Sequence, residues 1–407
     1  MGTVRVSKII YSVTVSSEEK YRDLFLNSEH KPGQQAQKYH RLLCKGLSSL
    51  NGISVEVVSK LPINRRNFNK RYLKGQKEIN KGVNYYYISI INVPIIRNIC
   101  AFYSIFLNVF KRCNEGTVII GDVLNITTSI ANIIVGKIKG VKTIGIVTDI
   151  PSYLASSNKK KKGFRNMFFT KPISSINSFI LQKFDSYIFL TEQMNTLINK
   201  KNKPYIVMEG HVDINMGKLD NDIDSKYTKR VCLYAGSLKS IYGIKTLTEA
   251  FINANVENSE LHIYGNGDFA DELDEICKKY EHVHYFGIKL NDYIVKEQLK
   301  ATLLINPRPT NEEYTKYSFP SKNMEYMASG TPTLTTKLAG MPREYYDYVY
   351  LIEDESLEGL TDSLQNILTK SKHDLHDMGM KAKEFVLTEK NNIMQANKIL
   401  ELVKRLN

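Results

Sequence analysis

Glu325 carries a carboxylate five residues after a proline, in Tyr317-Ser-Phe-Pro-Ser-Lys-Asn-Met-Glu325-Tyr-Met-Ala-Ser-Gly330-Thr-Pro332. Pro320 and Ser321 read as a helix start: proline lacks the N–H that a first turn leaves unpaired, and serine can cap those that remain. The helix is expected from near Lys322, with Glu325 in or near its first turn. Backbone N–H groups at such a terminus suit a diphosphate, and a carboxylate one turn on can accept both hydroxyls of a ribose diol. Taken alone, a first-turn Glu is more often a plain partner for the helix macrodipole.

A second set of carboxylates lies in the first half. Thr117-Val-Ile-Ile-Gly-Asp122 and Thr143-Ile-Gly-Ile-Val-Thr148-Asp149 read as buried parallel strands ending on Asp122 and Asp149. Ligands of open α/β sheets bind outside the carboxyl ends of strands, so both point toward one cleft. There, Asp149 can orient or deprotonate an acceptor hydroxyl, or simply cap the next loop.

These groups need a scaffold, and the pattern supplies one. Met324, Met327 and Ala328 share a helix face, Gly330 gives a left-handed stop, and Pro332 blocks continuation into the strand Thr333–Thr336. Val4 to Val15 reads as a first strand, and Ser16 to Gln34 as a polar loop whose Gly33 opens a helix over Ala36 to Leu47, a strand–glycine–helix corner. Ile53 to Val58 is a further strand. Val231 to Gly236-Ser237, with Gly243 opening a helix, repeats the corner in the second half.

The chain has 407 residues and 42% hydrophobic content, enough for two domains with separate cores. The most apolar run, Ile88 to Phe110, is broken by Pro94 and Arg97, so a buried or interfacial helix is expected rather than a membrane span. Arg5 and Lys8 argue against a signal peptide. Five cysteines without C-x-x-C spacing read as the reduced thiols of a cytosolic enzyme, and no metal-ligand spacing is visible, so no tightly bound metal is expected. Residues 1–210 hold 32 Lys and Arg against 12 Asp and Glu, +20, which leaves −6 for residues 211–407. So basic a half implies an anionic partner. Asn64 to Lys81 reads as a solvated loop. With Tyr85-Tyr86-Tyr87 and the helix from Pro94, it can instead rest on an anionic membrane, each Lys or Arg contributing roughly 1 kcal/mol. The block Asn158 to Lys171 is read as an acceptor or membrane-surface site, or a mobile loop, and not as a nucleic-acid site, since no matching motif accompanies it.

Tyr317 to Glu344 resembles the donor-site segment of family 4 (GT4) glycosyltransferases of the GT-B fold, bacterial capsular or exopolysaccharide type. The family's pattern is Glu, seven residues, Glu-Ala-Met-Ala-x-Gly-x-Pro, then Gly-Gly-x-x-Glu. Here Glu325-Tyr-Met-Ala-Ser-Gly-Thr-Pro332 carries the second Glu, Tyr317 replaces the first, and Phe-Pro-Ser-Lys322 replaces Phe-Gly-Leu. The resemblance implies an α/β, GT-B fold: two Rossmann-like domains facing an interdomain cleft. They are expected at 1–215, with the helix 391–407 crossing back, and at 216–390. It implies Glu325 on the ribose, with Gly236, Ser237, Ser321 and Lys322 beside the diphosphate and Gly265 in the family's Gly-x-Gly segment. The family's diphosphate-neutralising Arg and Lys positions hold Ser237 and Tyr242 here, and Lys239 and Lys322 are the expected substitutes. Thr148 stands where the family often has a His, with the catalytic expectation on Asp149 and Thr148. Gly33, Asp122 and the hinge residue His211 are assigned to the cleft and acceptor.

What the resemblance implies about activity is a retaining hexosyltransferase. Its donor would be a nucleotide-sugar substrate, UDP-sugar before GDP-sugar, with no tightly bound cofactor. Its acceptor would be lipid-linked saccharide of a surface polysaccharide, met in the cytoplasm at the anionic inner membrane surface. The alternatives are a GT-B nucleotide-sugar epimerase, a phosphorylase carrying pyridoxal phosphate, and a non-catalytic basic nucleic-acid-binding protein.

Overall fold

The computed structural model describes residues 6–28, 30–63, 68, 70–93, 96–150 and 179–406. The basic block at 158–171 lies outside them. The chain divides into two units, Met1–His211 with Asn392–Asn407, and Val212–Asn391, against the expected 1–215 and 216–390.

The first unit is built on β1 (Lys8–Val13), β2 (Ser54–Ser59), β4 (Gln76–Asn80), β5 (Val83–Tyr87), β7 (Thr117–Asp122), β8 (Lys142–Val147), β9 (Ser186–Phe189) and β10 (Tyr205–Val207). They form one sheet in the order β10-β9-β8-β7-β1-β2-β5-β4, parallel except for β4. β3 (Tyr72–Leu73) and β6 (Ile90–Ile91) make a separate antiparallel pair. The helices are α1 (Glu18–Leu26), α2 (Gln34–Ser48), α3 (Ile96–Arg112), α4 (Ile126–Lys139) and α5 (Glu192–Ile198), joined by α12 (Asn392–Lys404) from the far end of the chain. Ile9, Ile10, Tyr11, Ile119 and Ile120 are wholly buried because parallel strands are covered on both faces. From α12, Ala396, Ile399, Leu402 and Val403 enter the same core. At about 1.5–3 kcal/mol for each large apolar side chain, this anchors the chain end firmly.

Three expectations change here. The polar stretch Ser16 to Gln34 contains α1: Ser17 accepts a hydrogen bond from the Lys20 N–H, Glu18 and Glu19 occupy the first turn, and Tyr21 and Phe25 are buried one turn apart. The basic run ending at Lys81 is in part a hairpin, β4 to β5, which turns on Lys81 and Gly82 with φ of 48° and 80°. Strand alternation then buries Tyr85 and Tyr87 and leaves only Tyr86 partly open, so the three tyrosines do not form one surface.

The second unit has β11 (Arg230–Ser237), β12 (Ser259–Asn266), β13 (Val283–Tyr285), β14 (Leu303–Asn306), β15 (Thr333–Thr336) and β16 (Tyr350–Ile352). Their order is β13-β12-β11-β14-β15-β16, and every pair is parallel. Around the sheet lie α6 (Ile244–Ala254), α7 (Ala270–Lys279), α8 (Asn291–Lys300), α9 (Ser321–Ser329), α10 (Leu357–Leu368) and α11 (Lys372–Glu389). Each unit is therefore a Rossmann-like α/β body. All five cysteines are unpaired. Among the described residues, no helix is long and apolar enough to cross a membrane.

Candidate functional site

α9 begins at Ser321 and stops at Gly330, whose φ of 79° is the left-handed cap that the sequence predicts. Its buried side, Met324, Met327 and Ala328, joins a cluster with Phe319, Tyr345 and Val386. Its start, near Lys322 as expected, differs only in the cap: Pro320 is the capping residue and Ser321 the first helical one, and no side chain caps the terminus. Glu325 is the fifth helical residue, just past the first turn.

Lys322 extends to the end of β11. Its Nζ lies 3.9 Å from the centre of the Tyr234 ring, and a side chain on Gly236 would collide with it. Burial and the nearby Arg308 guanidinium hold its pKa well below the usual lysine range. Tyr234 donates to the Ser237 carbonyl at 2.8 Å, and the Ala235 N–H donates to the Tyr326 hydroxyl at 2.8 Å. Both bonds fix the Gly236-Ser237 turn. Gly265 (φ 137°), next to the last residue of the neighbouring strand, lies so close that any Cβ would strike the Gly236 carbonyl, which explains the glycine there. Lys239 is exposed and begins a short 3-10 turn, Ser240–Tyr242.

Arg308 is the site residue that sequence reading missed. Its guanidinium lies 4.6 Å from the Tyr242 ring and 5.7 Å from that of Tyr314, and Nη1 donates to Ser318 Oγ at 3.3 Å. Thr336 Oγ1 donates to the Arg308 carbonyl at 2.6 Å, holding the backbone beyond β14. Neither Arg308 nor Lys322 has a carboxylate partner among the described residues. Tyr242, which stands where the resemblance expects a lysine, thus supports an arginine brought from another loop. The only sequence signal was an arginine between two prolines just past a strand end.

Glu325 is half-buried, and its oxygens are already oriented. Asn291 Nδ2 donates to Oε2 and Gln298 Nε2 to Oε1, each at 2.9 Å, both from α8. A carboxylate oxygen can accept two hydrogen bonds, and these two bonds set the orientation of the group.

In the first unit, Thr148 and Asp149 follow the last residue of β8 and are half-buried, while Asp122 ends the adjacent strand β7. Asp122 Oδ1 accepts from the Leu124 N–H at 2.9 Å, and Oδ2 lies 3.7 Å from His40 Nε2. His40 Nδ1 is 2.6 Å from the Tyr11 hydroxyl. Burial raises the Tyr11 pKa far above its ordinary value, so the phenol keeps its proton. The His40 ring bridges that phenol and Asp122. This Tyr11–His40–Asp122 chain, spread over β1, α2 and β7, has no spacing signal in sequence. Gly33 precedes α2 with φ −60°, and a Cβ there would meet nothing, so the turn itself does not require glycine. His211, assigned to the cleft, is instead buried within the first unit. Its ring lies 4.5 Å from that of Tyr39, and Nε2 must donate to the Tyr39 carbonyl at 2.8 Å, since a carbonyl only accepts.

The sequence shows no metal-ligand spacing, yet Glu260, His262 and His284 meet in space on β12 and β13.

Residues 216–385 match the family described as Glycosyl transferases group 1. None of the curated protein sequences compared matches the chain. Among solved structures, the chain is similar to sucrose-phosphate synthase from Thermosynechococcus elongatus, with 14% identity, 98% of this chain and 99% of that one covered, and a TM-score of 0.69. It is similar to the lipopolysaccharide outer core galactosyltransferase WaaB in its apo form, with 13% identity, 97% and 99% covered, and a TM-score of 0.61. It is also similar to HepE of Anabaena in complex with UDP and glucose, with 13% identity, 98% and 100% covered, and a TM-score of 0.60. At these identities the likeness establishes the fold, which is GT-B.

Proposed function

We propose that this chain is a retaining glycosyltransferase of the GT4 type, moving a hexose from a nucleotide-sugar, UDP-linked before GDP-linked, onto a lipid-linked surface saccharide. One observation carries the reading: Lys322 lies against Gly236 with the Arg308 guanidinium near enough to depress its pKa, and no described carboxylate pairs with either. Two like charges held together are costly unless a dianion joins them, and a donor diphosphate is such a dianion. It would lie against Gly236, Ser237 and the uncapped start of α9, with Lys322 and Arg308 on its oxygens and Glu325 on the ribose diol. Bond cleavage puts negative charge on the departing diphosphate, so preorganised cations there favour the transition state. Attack from the face the diphosphate leaves retains configuration, with Asp149 orienting the acceptor hydroxyl beside Thr148 and Asp122.

The test is thermal stability against UDP-, GDP- and dTDP-sugars. A ligand at a hundredfold its dissociation constant adds about 2.7 kcal/mol, a readable shift of the midpoint. One nucleotide should raise the midpoint, and its sugar should be released by the enzyme. If none does, only the fold remains.

The acceptor side rests on a surface. α3 buries Ala101, Ile105 and Val109 and exposes Ile96, Ile99, Tyr103 and Leu107, while α4, packed beside it, exposes Ile134 and Ile138. Lys111, Arg112, Lys137 and Lys139 close the same helices. Exposed apolar side chains on two helices that end in cations suit the interface of an anionic bilayer, which supports a peripheral enzyme on the inner membrane face. Vesicles containing phosphatidylglycerol should sediment the protein, and salt should release it. Ile99→Asp with Leu107→Asp, both at exposed positions, should weaken binding by roughly tenfold or more, two apolar side chains being lost from the bilayer. Equal binding to neutral vesicles would refute the anionic partner.

A further inference from the structure

Glu260 and His262 are two residues apart on β12, so both side chains leave the same face of the sheet. His284 is the residue opposite His262 in the parallel ladder with β13. Alternation and register together bring three ligand-type groups to one point, although they are spread over two strands with α7 between them. His262 Nε2 lies 3.1 Å from Glu260 Oε2, and His284 Nε2 lies 3.5 Å from Oε1. A ligand atom from each residue can be chosen with all three within 4.8 Å of one another. A tetrahedral zinc ion with bonds of ~2.0–2.1 Å holds its ligand atoms roughly 3.3 Å apart, so small rotamer adjustments bring the three into range.

The surroundings fit such a site. His262 is buried, with the Tyr227 and Phe286 rings at 5.6 and 5.2 Å, so its ring is already held in place. His284 is more exposed, which gives an ion access and leaves a fourth position to water. Lys229 Nζ lies 2.6 Å from Glu260 Oε1 on a side chain that is 54% exposed, and that ammonium can swing into solvent when a dication takes the carboxylate. The site is separate from the donor residues. Glu260 is the second residue of β12, and its glycine end at Gly265-Asn266 is about 20 Å further on by strand rise.

We propose that Glu260, His262 and His284 bind a divalent transition metal of the zinc class, tying the three-residue edge strand β13 to β12. Two imidazoles and one carboxylate favour zinc over magnesium or calcium, which prefer all-oxygen sets. β13 is the outermost strand of its sheet, paired on one side only. A clip there has the most to stabilise.

Full-length, tag-free protein stripped with chelator is titrated with Zn2+ by calorimetry, and amide exchange is followed across Val283–Tyr285. A single equivalent should bind, slow exchange in those amides and resist competition by Mg2+. His284→Ala should weaken binding by about tenfold or more, whereas Lys229→Ala, which removes the competitor for the carboxylate, should tighten it severalfold. The His284 side chain is 35% exposed and that of Lys229 54%, so the metal-free variants should melt close to the parent. No uptake, or equal uptake in the parent, His284→Ala and Glu260→Gln, would overturn the proposal, the second result placing the ion on other groups such as the cysteines. Unchanged exchange in β13 on saturation would do the same.

Discussion

Lys322→Ala is expected to lower turnover by about 10²–10³, the usual loss when one preorganised donor to a developing negative charge is removed. The loss should fall on kcat more than on KM, because the charge on the diphosphate grows as the sugar departs. Lys322→Arg should restore little: a planar fork cannot replace a compact ammonium held 3.9 Å over the Tyr234 ring beside Gly236. A structural role would not reproduce the accompanying proton signature. Burial and Arg308 hold the Lys322 pKa low in the free protein, and a bound diphosphate must raise it. Between those two values the complex carries more protons than the free protein, so binding takes up protons and weakens as pH rises through that window. Stability has the opposite sign: the unfolded chain holds the extra proton between the depressed folded pKa and the ordinary lysine value, so unfolding becomes harder as pH rises across that interval. Lys322→Met should remove both trends. Buffer-dependent binding enthalpies that are the same in Lys322→Met as in the parent would sink this assignment. Arg308→Ala should also slow turnover. The double variant should lose less than the product of the single effects, since both cations serve one ligand.

The reason Lys322 was legible in sequence and Arg308 was not lies in how each is positioned. Lys322 follows Pro320 and precedes Gly330 on one short helix, so local chemistry alone sets its place at a terminus. Arg308 comes near Lys322 through tertiary contacts. Its carbonyl is held by Thr336 and its guanidinium faces Tyr242, residues far away in the chain. The same division runs through the rest of the molecule. Parallel strands announced themselves as apolar runs, and Asp122 ends one as expected. α1 was hidden because Tyr21 and Phe25 are its only buried apolar residues in a polar run, too few for a visible period. β4 was hidden because an outer antiparallel strand, Gln-Lys-Glu-Ile-Asn, has little to bury. Tyr11 with His40, and His262 with His284, meet through strand register and helix packing, which residue spacing does not encode.

Glu325 poses the sharper question, since its carboxylate already accepts from Asn291 and Gln298. Asn291 and Gln298 donate one hydrogen bond to each oxygen, a pattern that serves a purely structural anchor of α8 to α9 as well as a ribose site. The two roles separate when the ligand, not only the protein, is altered. If the carboxylate receives the ribose diol, the parent protein should bind UDP more tightly than 2′-deoxy-UDP. Glu325→Ala should weaken UDP binding by about 1.5–3 kcal/mol, the range for a hydrogen bond to a charged group, and bind the two nucleotides equally. Glu325→Gln should restore the bonds to α8 only if Asn291 or Gln298 flips its amide, and it leaves a single acceptor oxygen where the ribose diol needs two. A structural anchor predicts otherwise: both nucleotides would lose affinity by the same factor as α8 and α9 loosen, and the preference for the 2′-hydroxyl would survive the substitution. The measured ratio of the two affinities, in parent and variant, therefore decides the role of Glu325 even if the variant is less stable. Because α9 carries Lys322 one turn before Glu325, a lost ratio together with the Lys322 proton signature would place diphosphate and ribose along a single helix.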